Sequence, residues 1–278
     1  MQGPTFQFKL RPVEQVQPWG GPTDPNLHWF GLTDGEYWIQ VGDRRLFEYS
    51  DAAQTRFGVS RFCDYQVVRL LEDVLDLAPY ALEPIPEELR RYIALDESSG
   101  WDHFWSKWCA TIDERDSSEE VLGLLDDAGS WLGRRTLDSG YLTPSTNVVM
   151  WSDSNSVHIQ WDNRGKLLDG CQTWSAQFGA WNIPRAAFRA EVLGFHERLV
   201  EQMAQRVLQV AQGALAENIR IDIEELRREQ LVRERSIDRA LELPAPPTDW
   251  SAVAAAIREL EARSAGVSSH ALVRGAVP

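Results

Sequence analysis

The stretch Leu27–Ser50, LHWFGLTDGEYWIQVGDRRLFEYS, decides the fold class of this chain. Tyr37, Ile39 and Val41 alternate with Trp38 and Gln40, the two-residue period of a strand with one buried face. Thr33-Asp34-Gly35-Glu36 contains Asp-Gly, which accepts the positive φ angles of a two-residue hairpin turn, and Gly42-Asp43 has the same chemistry. The segment therefore predicts three short strands in an antiparallel meander with an aromatic face. Upstream, Phe6, Phe8 and Leu10 alternate with Gln7, Lys9 and Arg11 as a first strand ended by Pro12. The Pro- and Gly-rich stretch 17–26 reads as the loop between them.

Downstream the period changes to that of a helix. Asp64 is placed to cap a helix in which Val67, Leu71, Val74 and Ala78 recur on one face, with Pro79 ending it or lying in its last turn. Pro84 and Pro86 frame a shorter helix to Leu95. Another starts near Gly100 with Trp101, Phe104, Trp105 and Trp108 on one side, a stripe that reads as core. Ser117 or Ser118 opens a further helix through Trp131 to about Leu137.

A second β region follows, with Val148 and Met150 alternating with Val149 and Trp151 before a polar turn. The strand VHIQWD returns, and Cys171 to Ser175 predicts a third strand. YWIQVGD and VHIQWDN echo one another, so the two meanders are candidates to join into one antiparallel sheet. From Pro184 the chain is helical: a long stripe (Val192, Phe195, Leu199, Met203, Val207, Val210), a charged helix from Ile221 to Leu243, and a last helix from Trp250 to Arg263 capped by Thr248 or Asp249. The fold class is α+β, with antiparallel β meanders packed against about seven α-helices. It reads as one domain over residues 1–264, comprising the meander 27–50, an acidic helical block 64–137, the second β region 147–176 and C-terminal helices 184–264. The stretch 265–278 is predicted as a disordered tail.

Charge is distributed unevenly. The formal net charge is -14, which argues against nucleic acid as a partner because phosphate binding requires a basic surface. From Asp64 to Asp127, seventeen acidic residues stand against Arg69, Arg90, Arg91, Lys107 and Arg115, so the acidity belongs to one segment. Twelve Trp in 278 residues favour many packing anchors. Cys63, Cys109 and Cys171 are odd in number and widely spaced, which fits a reducing cytoplasm better than a disulfide framework. Neither a basic-then-apolar N-terminal leader nor an apolar run of membrane-spanning length is seen.

Motifs for chemistry are missing. G-x-x-x-x-G-K-[ST], G-x-G-x-x-G and G-x-S-x-G do not occur, and His196-Glu197 opens an H-E-x-x-H pattern whose last place is Val200. No catalytic residue, cofactor or metal site is predicted. Two surfaces remain as candidates. The first is the acidic helical face, with Glu72, Asp73, Asp76, Glu87, Glu88, Asp113, Glu114, Asp116, Glu119 and Glu120 turned to a basic protein partner. The second is a ligand pocket beside the Trp-rich strands, lined by His28, Trp29, Asp34, Glu36, Trp38, Tyr141, Trp151, His158, Trp161 and Asp162. Within it, a carboxylate pair such as Glu36 with Asp162 would suit acid–base chemistry.

LRPVEQVQPWG, LHWFGLTDGEYWI, RLFEYS, CDYQVVRLLEDVL, LDSGYL, WSAQFGAWNIP and TDWSAVAAAIREL occur in this order, and together they resemble a bacterial family catalogued only as a domain of unknown function (5984). The resemblance runs from Phe6 to Leu260, which favours a single unit, and it implies no activity or catalytic residue. The expected function is that of a cytoplasmic, non-enzymatic binding protein. One form would be an immunity protein that covers a toxin's basic active site. The ligand-binding or enzymatic pocket is the alternative. A scaffold using the charged helix from Ile221 to Leu243 is a third possibility.

Overall fold

The structure, a computed structural model, describes residues 5–93, 95, 101–110, 119–241 and 247–274. Strands β1 (Phe6–Leu10), β2 (Asp34–Val41) and β3 (Arg44–Leu46) are consecutive neighbours in an antiparallel sheet. Gly42, at φ +61°, makes the β2–β3 hairpin as its sequence predicted. Asp34-Gly35 does not make a turn. It starts β2, and a 3-10 turn over Gly31–Thr33 precedes it in place of a strand. Glycine is required at 35 for another reason. A β-carbon there would sit 2.4 Å from the Lys9 carbonyl oxygen, so its absence lets β1 approach closely.

Helix α1 (Asp51–Phe57) was not foreseen, although its signals are present. Ser50 Oγ accepts from the Ala53 N–H at 3.1 Å, and Gly58 closes the helix in the left-handed region at φ +66°. Strand β4 (Cys63–Gln66) then pairs with β2, placing Asp64 opposite Glu36. Asp64 is therefore a strand residue and not a helix cap; helix α2 (Val67–Leu82) starts three residues later. Pro79 does lie in the last turn of α2. A 3-10 turn, Glu87–Tyr92, replaces the short helix expected there.

Helices α3 (Trp101–Cys109) and α4 (Glu119–Gly133) follow. Helix α4 stops at Gly133, short of Leu137, because the next residues bond instead to β5, through an isolated bridge from Thr136 to Val149 and a bond from the Leu137 N–H to the Val148 carbonyl at 2.9 Å. The second sheet consists of β5 (Val148–Ser152), β6 (Ser156–Asp162) and a later strand. Cys171–Gln172 is not that strand. It folds back as β8 on β7 (Leu167–Leu168), through Asp169 and Gly170 at φ +48° and +76°, a tight-hairpin conformation. The sheet is completed instead by β9 (Phe178–Pro184) on β6. The two sheets remain separate, with an isolated bridge from Tyr49 to Trp174 between their connecting segments.

Helices α5 (Arg185–Ala211), α6 (Ile223–Glu234), α7 (Ser236–Leu241) and α8 (Trp250–Arg274) end the chain, making eight α-helices among the described residues. The fold is α+β, as its alternating periods predicted. The charged segment is two helices, α6 capped by Asp222 and broken from α7 at Arg235. Helix α8 continues to Arg274, past the end expected at Arg263, and buries Ser264.

The apolar side chains form two cores that share strand β5. Val148 and Met150 face the larger one, built from the first sheet, α2 and α5. Val149 and Trp151 face the smaller one, with Trp108, Trp131, Val253, Ile257 and Leu260. Every residue of β5 is buried, which is why VVMWS reads as an unbroken apolar run. Each large side chain removed from water contributes about 1.5–3 kcal/mol.

Arg135 locks the smaller core. It is fully buried and donates to Glu83 Oε2 at 2.6 Å and to the Trp131 carbonyl at 2.8 Å. Its guanidinium carbon lies 4.9 Å from the Trp250 ring centroid. Glu83 also accepts the Thr248 N–H at 2.8 Å, so one ion pair ties together the ends of α2 and α4 and the start of α8.

Candidate functional site

Folding divides the acidic block. Glu72 is committed to Arg233 of α6, and Asp73 is buried beside Arg69 and Tyr141. These two drop out of the partner surface. Asp113, Glu114 and Asp116 lie outside the described residues. Asp76, Glu87, Glu88, Glu119 and Glu120 are exposed. Of these, Glu120 has a neighbouring cation, Arg263 at 3.8 Å. No described cation lies within ion-pairing distance of the others.

Helix α4 organises this surface. Ala128 and Trp131 point into the smaller core and Val121 is buried along the same side, which turns the opposite side outward. Glu119, Leu122, Gly123, Asp126 and Ser130 recur there at helical spacing and are exposed, with Asp127 beside them. Leu122 is 57% exposed and stands between carboxylates. Asp102 on α3 is likewise exposed and unpaired among the described residues. Asp126 and Asp127 belong to the surface that sequence reading had limited to Glu119 and Glu120. The seven- and eight-residue offsets from Glu119 were the available signal.

The ten residues proposed for a pocket are spread over both sheets and both cores. Trp29 is buried, and its indole N–H donates to Gln230 Oε1 at 2.8 Å. Trp38 stacks on Phe62 at 4.1 Å between centroids, and His28 packs edge-on to Trp19 at 4.5 Å. Asp34 accepts from Arg11 at 2.7 Å, and Arg11 also binds Asp64. Glu36 lines a shallow surface groove with Lys9, Leu10, Arg11, Pro12, Gln15 and Gly35. Asp162 is paired with Arg164 at 2.7 Å in the second sheet, so it does not form a couple with Glu36. Trp161 lies in the larger core over Gly179.

Trp151 and His158 do come together. They are cross-strand partners with rings stacked at 4.1 Å, and His158 is held by Asp153 at 2.9 Å and Asn182 at 2.8 Å. Both of its ring nitrogens are therefore engaged, Nδ1 by Asn182 of β9 and Nε2 by Asp153 of the β5–β6 turn, which also accepts the Asn155 and Ser156 N–H groups. Those backbone bonds, followed by the His158 bond, hold the Asp153 carboxyl far below the usual range.

Tyr141 belongs to a buried relay. Tyr37 donates to the Tyr141 hydroxyl at 3.1 Å, and Tyr141 donates to Asp73 Oδ2 at 3.1 Å. Burial pushes the Asp73 pKa up to about 7, against the opposing effects of Arg69 and the Tyr141 bond. Burial also raises both tyrosines, and it takes the thiol of Cys63, the cross-strand partner of Tyr37, up to about 12. This arrangement holds a titratable proton inside the fold near neutral pH.

Among the described residues no group of His, Cys, Asp and Glu could hold a metal ion, and no helix is long and apolar enough to cross a membrane. A family model described as Family of unknown function (DUF5984) matches residues 5–256. Comparison with curated proteins and with solved structures gave no match.

Proposed function

We propose, from the premise that the chain belongs to the DUF5984 family of unknown function, that it is a non-enzymatic binding protein whose acidic lobe receives a basic protein partner. What supports this reading is the outward face of α4, where Glu119, Asp126 and Asp127 surround an exposed Leu122 and have no cation of their own among the described residues. Glu72 and Glu83, by contrast, are neutralised internally, by Arg233 and by Arg135. Unneutralised charge beside an apolar anchor suits an interface in which electrostatics steer the encounter and burial of the leucine holds the complex. An immunity protein masking the basic active site of a toxin in the bacterial cytoplasm is the concrete form we favour.

The test is affinity capture from the native host at low salt, followed by association kinetics with whatever basic protein is recovered. The on-rate should fall steeply with ionic strength, and Asp126→Lys with Asp127→Lys should abolish capture without changing the melting temperature. Recovery of no basic protein, or a partner that the double reversal leaves bound, would overturn the proposal.

A further inference from the structure

Strand β9, FGAWNIP, lies at the edge of the second sheet, and its outer edge is uncharged. The direction of its backbone groups follows from two bonds: Asn163 N–H to the Gln177 carbonyl, and Arg185 N–H to the Asn155 carbonyl. Odd-numbered residues of β9 therefore point to β6, and Phe178, Ala180 and Asn182 turn their N–H and C=O groups outward. No backbone partner within the chain meets those groups among the described residues.

Phe178 is 48% exposed and Trp181 37% exposed along the same strand. Edge strands are normally protected by charge, bulges or proline, and here only the terminal Pro184 does so. Two arginines beside its ends are already engaged, Arg164 by Asp162 and Arg185 by the Leu82 carbonyl.

We propose that β9 pairs antiparallel with β9 of a second copy of this chain, about a two-fold axis through Ala180. This register lets each outward residue exchange bonds in full: Ala180 with its own counterpart, and Phe178 with Asn182 of the second copy. It sets Phe178 against Asn182 and Trp181 against Gly179, so no two large side chains oppose one another. Charge selects the occupant. β9 itself carries no charged residue, so two copies of a chain of formal net charge -14 can meet along it without setting carboxylates face to face, and a strongly charged partner would find no counter-ion on the strand. The result is one continuous six-stranded sheet. Strand pairing over so short an edge buries little area, so the dimer is reversible and dependent on concentration.

Ala180 is exposed, so a charge there leaves the fold intact but faces its own copy across the axis. Sedimentation of the full chain over a concentration series should show dimers. Ala180→Glu and Ala180→Lys should each weaken dimerisation by about tenfold or more, and an equimolar mixture of the two should restore it. Amide exchange at Phe178, Ala180 and Asn182 should slow as the wild-type concentration rises. A wild-type chain that stays monomeric throughout overturns the proposal and leaves the edge to a different chain. A dimer that neither substitution weakens also overturns it.

Discussion

The Tyr141 hydroxyl donates to Asp73 Oδ2 at 3.1 Å, binding the segment after Leu137 to the middle of helix α2. On the other side of Asp73, Arg69 Nη2 lies 3.3 Å from Oδ1 and also pairs with Asp138 at 2.9 Å. Two elements far apart in sequence thus meet over one buried carboxyl.

The pKa of Asp73 is raised to about 7, above the value of about 3.9 for an unfolded aspartate, so folding favours its protonated form. By linkage its contribution is fully present below about pH 4 and is lost as pH rises through 7. Asp73→Asn should flatten that loss, raising stability at pH 8 relative to pH 5 by a few kcal/mol at most, since one pKa unit is about 1.4 kcal/mol. Urea unfolding at the two pH values measures the difference. An unchanged pH profile would show that Asp73 ionises normally.

Arg135 and Glu83 form the ion pair that joins the two cores at the start of α8. Removing one member of such a pair leaves a charge uncompensated, so Arg135→Ala should cost about 3–5 kcal/mol. Amide exchange should rise first between Trp250 and Leu260. Uniform exchange across the chain would mean that α8 has no separate dependence on this pair.

Gly35→Ala places a methyl group 2.4 Å from the Lys9 carbonyl oxygen. Backbone cannot yield as a side-chain tip can, so the β1–β2 pairing should be lost or shifted, at about 2–4 kcal/mol. A tolerated alanine, with unchanged denaturation midpoint, would argue against this strand approach.

Asp249 Oδ1 accepts the Ala252 N–H at 2.9 Å and caps α8. Asp249→Ala should destabilise the protein by about 1 kcal/mol, whereas Asp249→Ser should restore most of it. Thermal unfolding of both variants distinguishes a cap from a surface charge.

Local pattern alone determined much of this fold. The alternation of Tyr37, Ile39 and Val41 set one face of β2, and the stripe from Val192 to Val210 set the buried face of α5, because these periods follow from backbone geometry. The acidity of the segment after Asp64 was equally legible, as was the hairpin at Gly42, while the cap of α8 was narrowed to Thr248 or Asp249 and falls to Asp249.

Tertiary structure decided whatever depended on a distant partner. Asp-Gly at 34–35 has the chemistry of a turn, and only the arrival of β1 makes the glycine a point of close approach. The third strand of the second sheet fell to Phe178–Pro184 because Asp169-Gly170 folded Cys171 back on Leu168. Glu72 and Asp73 looked like surface carboxylates until Arg233, 161 residues from Glu72, and Tyr141, 68 residues from Asp73, reached them. Charge is written in the sequence, but its neutralisation or exposure is set by which elements pack together.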